Sequence, residues 1–287
     1  MTSTVEAFFD PRSNSFSYVV SDPHSGCCAI IDPVLDYDPA AGRIFHACVN
    51  RLIAHVYEHE LSVQWVLDTH VHADHLSAAV VVQQTLGGRL ATGAEITTVQ
   101  ATFAELFNLG DEFPRDGSQF DRLFADGDSF QVGGLPARAI HTPGHTPGCV
   151  SYLIGDAVFV GDALLLPDHG TARCDFPGGD ARTLFASARK LFELPDRTRL
   201  FVGHDYQASG GDAVHCETTI GAQRRHNLHV REGVCEEQFV RLRAARDADL
   251  SLPVLMVPAI QTNIRAGHLP TAGNLDGDYL PPPKALR

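Results

Sequence analysis

Lysine is almost absent from this chain: of 22 basic residues only Lys190 and Lys284 are lysines, and the rest are arginine. Any anion site is therefore built from guanidinium forks. Positive charge as a whole is short. The 22 basic residues face 35 acidic ones, a net charge of −13, which argues against nucleic acid or an anionic membrane as partner. No apolar run approaches the roughly 20 residues that a membrane helix needs. The opening Met-Thr-Ser-Thr-Val-Glu has no basic stretch followed by an apolar one, so no secretory signal is read there and the expected compartment is the cytoplasm. C-x-x-C is missing, which removes a structural zinc ribbon. The seven cysteines (Cys27, Cys28, Cys48, Cys149, Cys174, Cys216 and Cys235) are odd in number and unpaired in spacing. They read as small buried hydrophobes and not as a disulfide frame. Internal repeats and low-complexity linkers are lacking too.

What is present fits an ordinary globular protein. With 287 residues, 44% apolar and 20% charged, the chain can form one large domain or two small ones around a sizeable core. Val5 to Phe9, Phe16 to Val20 and Cys27 to Ile31 predict a meander of short strands, and Asp32-Pro33 ends the last of them. Ile44, Ala47, Cys48, Leu52 and Val56 predict a helix over about 43–60. A strand over 63–67, a helix over 76–86, a strand over 89–92 and a helix over 96–109 follow. A second run of strands lies between 130 and 160, a helix opened by Gly-Gly-Asp over 180–192, a strand over 200–202, and helices near 217–228 and 235–245. Strands interleaved with helices predict an α/β protein with helices outside sheet. The chain is expected to be a single domain, 1–287, in which a late helical and extended segment from about 207 forms a lid or subdomain. The tail around Pro281 to Pro283 reads as mobile.

The most informative stretch is Val66-Leu-Asp-Thr-His-Val-His-Ala-Asp-His-Leu76, where an apolar strand stops at His70, His72, Asp74 and His75. Side chains one residue apart at a strand end share a face, and imidazole with carboxylate is the ligand set of iron, zinc and manganese. Asp74 also stands where it could cap the following helix. Three further places repeat the design of an apolar strand followed by a ligand-type side chain. His141-Thr-Pro-Gly-His145-Thr-Pro-Gly148 turns tightly enough to aim His145 in front of a sheet. Phe159-Val-Gly-Asp162 and Leu200-Phe-Val-Gly-His204-Asp-Tyr206 each place a glycine before the ligand. Singly these are ordinary turns; together they predict one metal centre.

The order H-x-H-x-D-H, H-T-P-G-H, G-D and G-H-D-Y resembles the metallo-β-lactamase superfamily, whose fold is an αβ/βα sandwich with metal at one sheet edge. T-H-V-H-A-D-H, H-T-P-G-H-T-P-G, G-D-A-L-L and G-H-D-Y are similar to the persulfide (sulfur) dioxygenase family, the group around the ethylmalonic-encephalopathy protein. Pro167 to Asp180 and Pro258 to Gly267 resemble its bacterial branch. The likeness runs from about residue 5 to 270.

That resemblance implies a single Fe(II) per chain held by His70, His145 and Asp162, a two-His, one-carboxylate triad with open positions. His72, Asp74, His75 and His204 would then orient ligands and water. It implies the oxidation of glutathione persulfide by O₂ and water to sulfite and glutathione, a step of hydrogen sulfide detoxification. The alternative is a glyoxalase II-type hydrolase of glutathione thioesters, in which the same seven residues hold two metals and a bridging hydroxide attacks. A β-lactamase or nuclease of the superfamily and a closed structural metal site fit less well. For the carboxylates of glutathione the candidates are Arg173, Arg224 and Arg225, with Tyr206 as a hydroxyl donor. An ion pair of Arg173 with Asp175 and a solvated helix face for Arg224 and Arg225 are the competing readings. Both monomer and homodimer are open.

Overall fold

The computed structural model describes residues 2–206 and 213–270. The N-terminal meander is β1 (Thr4–Asp10), β2 (Ser15–Ser21) and β3 (Cys27–Ile31), antiparallel neighbours. A side excursion of β4 (Val34–Asp38) and β5 (Arg43–Phe45) leads into α1 (Ala47–Glu58), and β6 (Ser62–Leu67) then returns parallel to β3. β7 (Leu76–Ser77) pairs with β4, and α2 (Ala79–Leu86), β8 (Arg89–Gly93), α3 (Ile96–Leu106) and β9 (Arg122–Phe124) complete a sheet of order β1-β2-β3-β6-β8-β9. The second sheet runs in chain order through β10 (Ser129–Val132), β11 (Leu135–His141), β12 (Val150–Ile154), β13 (Ala157–Phe159), β14 (Arg199–Phe201) and β15 (Glu217–Thr219). β13 and β14 are parallel, so a crossover is required between them, and α4 (Ala181–Leu191) supplies it. α5 (Ile220–His226), α6 (Glu236–Asp247) and α7 (Met256–Asn263) follow.

Alternation along the strands sets the layers. Phe16, Tyr18 and Val20 of β2, Ala29 and Ile31 of β3, and Leu67 of β6 meet Ala139, Tyr152, Phe159 and Phe201 between the two sheets. Their chain neighbours Val19, Cys28, Ile30 and Val66 face the other way, into a core shared with α1, α2, α3 and α7. On the far side Val158 and Leu200 face a third core containing Leu184, Leu191, Ile220 and Phe239. The expected αβ/βα sandwich is therefore the fold. Strands buried on both faces read as unbroken apolar runs, which is why they were visible in the sequence.

The differences are local. The helix expected from residue 76 begins at Ala79, because Leu76 and Ser77 pair with β4. Asp74 does not cap it; Ser77 Oγ accepts the Ala79 N–H instead. Ile44 sits at helical spacing but lies on β5, and α1 starts only at Ala47. The helix near 217–228 is a short strand, β15, followed by α5. β9 is a three-residue strand and gave no periodic signal. α7 holds Pro258 in its first turn, where the missing N–H is not needed. The expected Asp180 cap is present, its side chain accepting the Thr183 N–H at 2.7 Å. Past residue 207, α5 and α6 pack on the second sheet while α7 places Ala259 and Ile260 in the core beneath the first. Pro281 to Pro283 lie outside the described residues. No helix among the described residues is long and apolar enough to cross a membrane.

Candidate metal centre

The ends of β6, β11, β13 and β14 deliver the ligand-type side chains to one edge of the sandwich. His70, His145 and Asp162 form a buried group whose ligand atoms all lie within 4.8 Å of one another. His70 Nε2 is 3.9 Å and His145 Nε2 3.5 Å from Asp162 Oδ2, while His204 Nε2 is 3.4 Å from Asp162 Oδ1 and 3.7 Å from Asp74 Oδ2. His72, Asp74 and His75 form an adjoining group. All seven expected residues are thus brought together.

The hydrogen bonds behind the imidazoles assign their tautomers. Asp32 accepts the Thr69 N–H at 2.7 Å and the Thr69 hydroxyl at 2.8 Å. That hydroxyl has spent its proton, so toward His70 Nδ1, 2.9 Å away, it acts as acceptor. His145 Nδ1 donates to the Arg173 carbonyl at 2.7 Å and His204 Nδ1 to the Asn14 carbonyl at 3.2 Å. His75 Nδ1 lies 3.1 Å from Asp74 Oδ2. In each ring Nδ1 carries the proton, which leaves the Nε2 lone pair aimed inward. His70 Nε2, both ring nitrogens of His72, His75 Nε2 and Asp162 Oδ1 are buried without a hydrogen-bond partner. Lone pairs facing one another at these distances repel unless a cation lies between them, so the residues fit a metal ion.

The electrostatics agree. Burial, then the neighbouring imidazoles of His72 and His145, hold His70 far below its ordinary pKa, so its ring is neutral and ligand-ready. For His204 burial lowers the pKa, but Asp162 and Asp74 outweigh it and raise the value: the spot attracts positive charge. His72 differs from the others. Its Nε2 lies 3.0 Å from Asp32, outside the His70, His145 and Asp162 group. Burial lowers its pKa as well, yet Asp32, Asp74 and Asp68 raise it to about 9.

The glycines before two of the ligands have a steric cause. Gly161 has φ +49°, and a Cβ there would stand 2.4 Å from Thr69 Oγ1 and 3.3 Å from His70 Nδ1. A Cβ at Gly203 would stand 2.9 Å from Asp162 Oδ1. Gly161→Ala is expected to push Thr69 off His70 and to weaken metal binding roughly 10–100-fold, the usual scale for losing a partner behind a ligand. Competition with a chelator measures this. An affinity equal to the parent's would mean that Thr69 moves aside without disturbing His70.

A cavity of about 440 Å³ opens in front of Asp74, His145, Asp162 and His204. Arg173 lines it but is engaged, its guanidinium bonded twice to Asp175 at 2.6 Å. Tyr206 also lines it, half-exposed and stacked on His204 with ring centroids 5.3 Å apart. A second groove of about 560 Å³ meets the cavity at Asp74, Tyr206 and Pro253. The structure does not bring Arg224 and Arg225 to the cavity: both ion-pair with Asp196, at 3.0 and 3.4 Å. Arg243 and Arg246 of α6 line it instead. Two supporting residues were not read from the sequence. Asp32 orders Thr69 and approaches His72, and Asn263 of α7 donates to the His72 and His75 carbonyls at 2.9 Å each. The signal for Asp32 was a carboxylate at the end of an apolar strand; Asn263 gave none beyond its place in a segment resembling the family.

The chain matches the description "Metallo-beta-lactamase superfamily" over residues 10–204. It belongs to that superfamily. A Burkholderia pseudomallei (strain 1710b) protein named as a metallo-hydrolase is 52% identical over 277 residues, covering 93% of this chain and 94% of the relative. "Glyoxylase B2" of Dictyostelium discoideum is 45% identical, covering 93% and 91%. The mitochondrial "Persulfide dioxygenase ETHE1" of Homo sapiens is 30% identical, covering 92% and 89%. The crystal structure of ETHE1 from Myxococcus xanthus superposes with a TM-score of 0.73 at 31% identity, covering 92% of this chain and 100% of that one. In this superfamily member the donor set of nitrogen and oxygen suits iron or zinc, and the cavity makes the site open.

Proposed function

We propose that this superfamily member is a mononuclear iron persulfide dioxygenase that oxidises the outer sulfur of glutathione persulfide with O₂ and water to sulfite and glutathione. One observation carries the reading. His70, His145 and Asp162 form a buried group that does not include His72, whose Nε2 lies 3.0 Å from Asp32 Oδ1. In a hydrolase holding two metals through all seven residues, His72 would serve as a ligand. The human and Myxococcus xanthus relatives support the same reading over nine-tenths of the chain.

When bound at His70, His145 and Asp162, ferrous iron supplies the one-electron chemistry that makes O₂ reactive toward sulfur, with positions left open for both reactants. The protein's own residues do the rest. Thr69 and the Arg173 carbonyl fix His70 and His145 by their Nδ1 atoms, so neither ring can turn away. Phe176 and Leu165 present an apolar wall, which keeps bulk water from the reacting sulfur until the oxidised group is hydrolysed. Tyr206 offers a hydroxyl at the mouth. The outer sulfur goes from −1 in the persulfide to +4 in sulfite and loses five electrons: four go to O₂, and one takes the inner sulfur from −1 to −2 in the thiol when water cleaves the S–S bond. The reaction thus needs no other reductant.

A second reading keeps a specific observation of its own. His204 approaches both Asp162 and Asp74, at 3.4 and 3.7 Å, and His72, Asp74 and His75 lie together, which suits a second metal and hydrolysis of a glutathione thioester. The relatives named metallo-hydrolase and glyoxylase point the same way. Metal content separates the two. Protein purified without air is expected to hold about one iron per chain and to consume O₂ only when glutathione persulfide is present. Two zinc ions per chain, with thioester hydrolysis and no O₂ uptake, would sink the dioxygenase.

A further inference from the structure

Three arginines line the cavity, and their charges are not equally available. Arg173 is neutralised by Asp175 and also donates to the Ser251 carbonyl at 2.7 Å. Arg243 is buried, pairs with Asp247 at 2.6 Å and donates to the Thr171 carbonyl at 3.0 Å. Arg246 lies on the next turn of α6, is exposed, and has no ion pair among the described residues. Its charge is felt on the cavity wall. Burial, then Arg243 and Arg246, push the pKa of His229 down to about 4, and His229 Nδ1 accepts the Thr171 N–H at 3.0 Å. His229 therefore adds no positive charge beside Arg246; the carboxylates of the same lining are those of Asp74 and Asp162, among the ligand-type residues on the floor, and Asp168, which lies 3.0 Å from His169 Nδ1. Leu228 and Leu250, both about half-exposed, complete an apolar margin on the same side.

We propose that Arg246 takes a carboxylate of the thiol carrier and so selects carboxylate-bearing persulfides over uncharged ones. The choice of a thiol carrier rests on the function proposed above; the anchoring role rests on the cavity alone. A guanidinium with no ion pair among the described residues, on a helix at the margin of a site whose other arginines are occupied, is suited to bidentate binding of a planar anion. The carboxylates of a tripeptide thiol lie several bonds from its sulfur, which matches an anchor at the margin and reacting atoms on the floor. Such contacts are made alike in ground and transition states, so they act on KM and product affinity more than on kcat.

The test is direct binding without O₂, by calorimetric titration of the iron-loaded protein with glutathione and with glutathione diethyl ester. Arg246→Ala is expected to weaken glutathione roughly tenfold, the low end for a charge-assisted bond because the guanidinium stays partly in water. Arg246→Lys should recover part of the loss, having charge but no fork. The diethyl ester should bind the parent and Arg246→Ala alike. Equal glutathione affinity in parent and Arg246→Ala would overturn the proposal, and so would an ester that suffers the same loss as the acid, or a parent that does not bind glutathione. A parent that binds glutathione through Arg246 but takes up no O₂ with glutathione persulfide would refute the dioxygenase and leave the anchor standing.

Discussion

Asp162→Ala is expected to lose iron and activity together, whereas His72→Ala should keep iron, bound about 10–100-fold more weakly. The difference follows from where each side chain stands. Asp162 is the common neighbour of His70, His145 and His204, within 3.9 Å of each Nε2, and one of its oxygens has no other partner. Removing it takes away the negative charge that balances a divalent ion among neutral imidazoles, so the loss should exceed the roughly 100-fold scale of an outer partner. His72 instead lies between the triad and the carboxylates of Asp32 and Asp68. Its deletion disturbs the orientation of Asp32 and hence of Thr69 and His70, without taking a ligand atom from the triad. Elemental analysis of both variants after air-free purification, with O₂ uptake on glutathione persulfide, reads the contrast. If both proteins come out equally devoid of metal, His72 is a ligand and the dinuclear hydrolase gains.

Much of this centre was legible in the chain because ligands at strand ends leave a local trace. An apolar run, a glycine and then a carboxylate or imidazole is visible within a few residues, and Gly161 and Gly203 owe their identity to the close approach of Thr69 and Asp162. The strands themselves were legible because both faces of β2, β3, β13 and β14, and of β6 at its Val66-Leu67 end, are buried. What a side chain pairs with across the fold leaves no such trace. Arg173 followed by Asp175 did suggest its ion pair, whereas Asp196, nearly thirty positions from Arg225, did not announce that it would hold Arg224 and Arg225 away from the cavity. Arg246 was one of several arginines on a helix of little apolar contrast; its place at the cavity is set by how α6 packs on α4 and not by its neighbours in sequence. Short elements suffered likewise. β9 and β15 have three residues each, too few for a period of two to emerge, and they are strands because a sheet edge was available to pair with.

Asn263→Ala should be among the most destabilising substitutions in the protein, although the side chain touches no candidate ligand atom. Asn263 is 2% exposed. Its Oδ1 accepts the Ser77 N–H at 2.7 Å, and its Nδ2 donates to the carbonyls of His72 and His75, each at 2.9 Å. The partners fix the amide's orientation, since an N–H must face the oxygen and two carbonyls must face the nitrogen. One side chain of α7 therefore ties both ends of the metal loop from nearly two hundred residues away. Truncation strands one buried donor and two buried acceptors. At about 1–3 kcal/mol for each group left unsatisfied, and allowing for water entering the space, the expected cost is roughly 3–5 kcal/mol. That is a large part of the ~5–15 kcal/mol that holds a typical domain. Because the bonds released belong to His72 and His75, metal affinity should fall as well, and added iron should raise the midpoint of the variant less than that of the parent. Asn263→Asp separates packing from hydrogen bonding. It keeps the shape and the acceptor for Ser77 but turns a carboxylate oxygen toward two carbonyls, so it should be at least as unstable as the alanine. Urea unfolding of the three proteins, with and without iron, measures the effect. A loss under about 1 kcal/mol for Asn263→Ala, or an aspartate as stable as the parent, would mean that the loop is held by its own turns and by Asp32 rather than by α7.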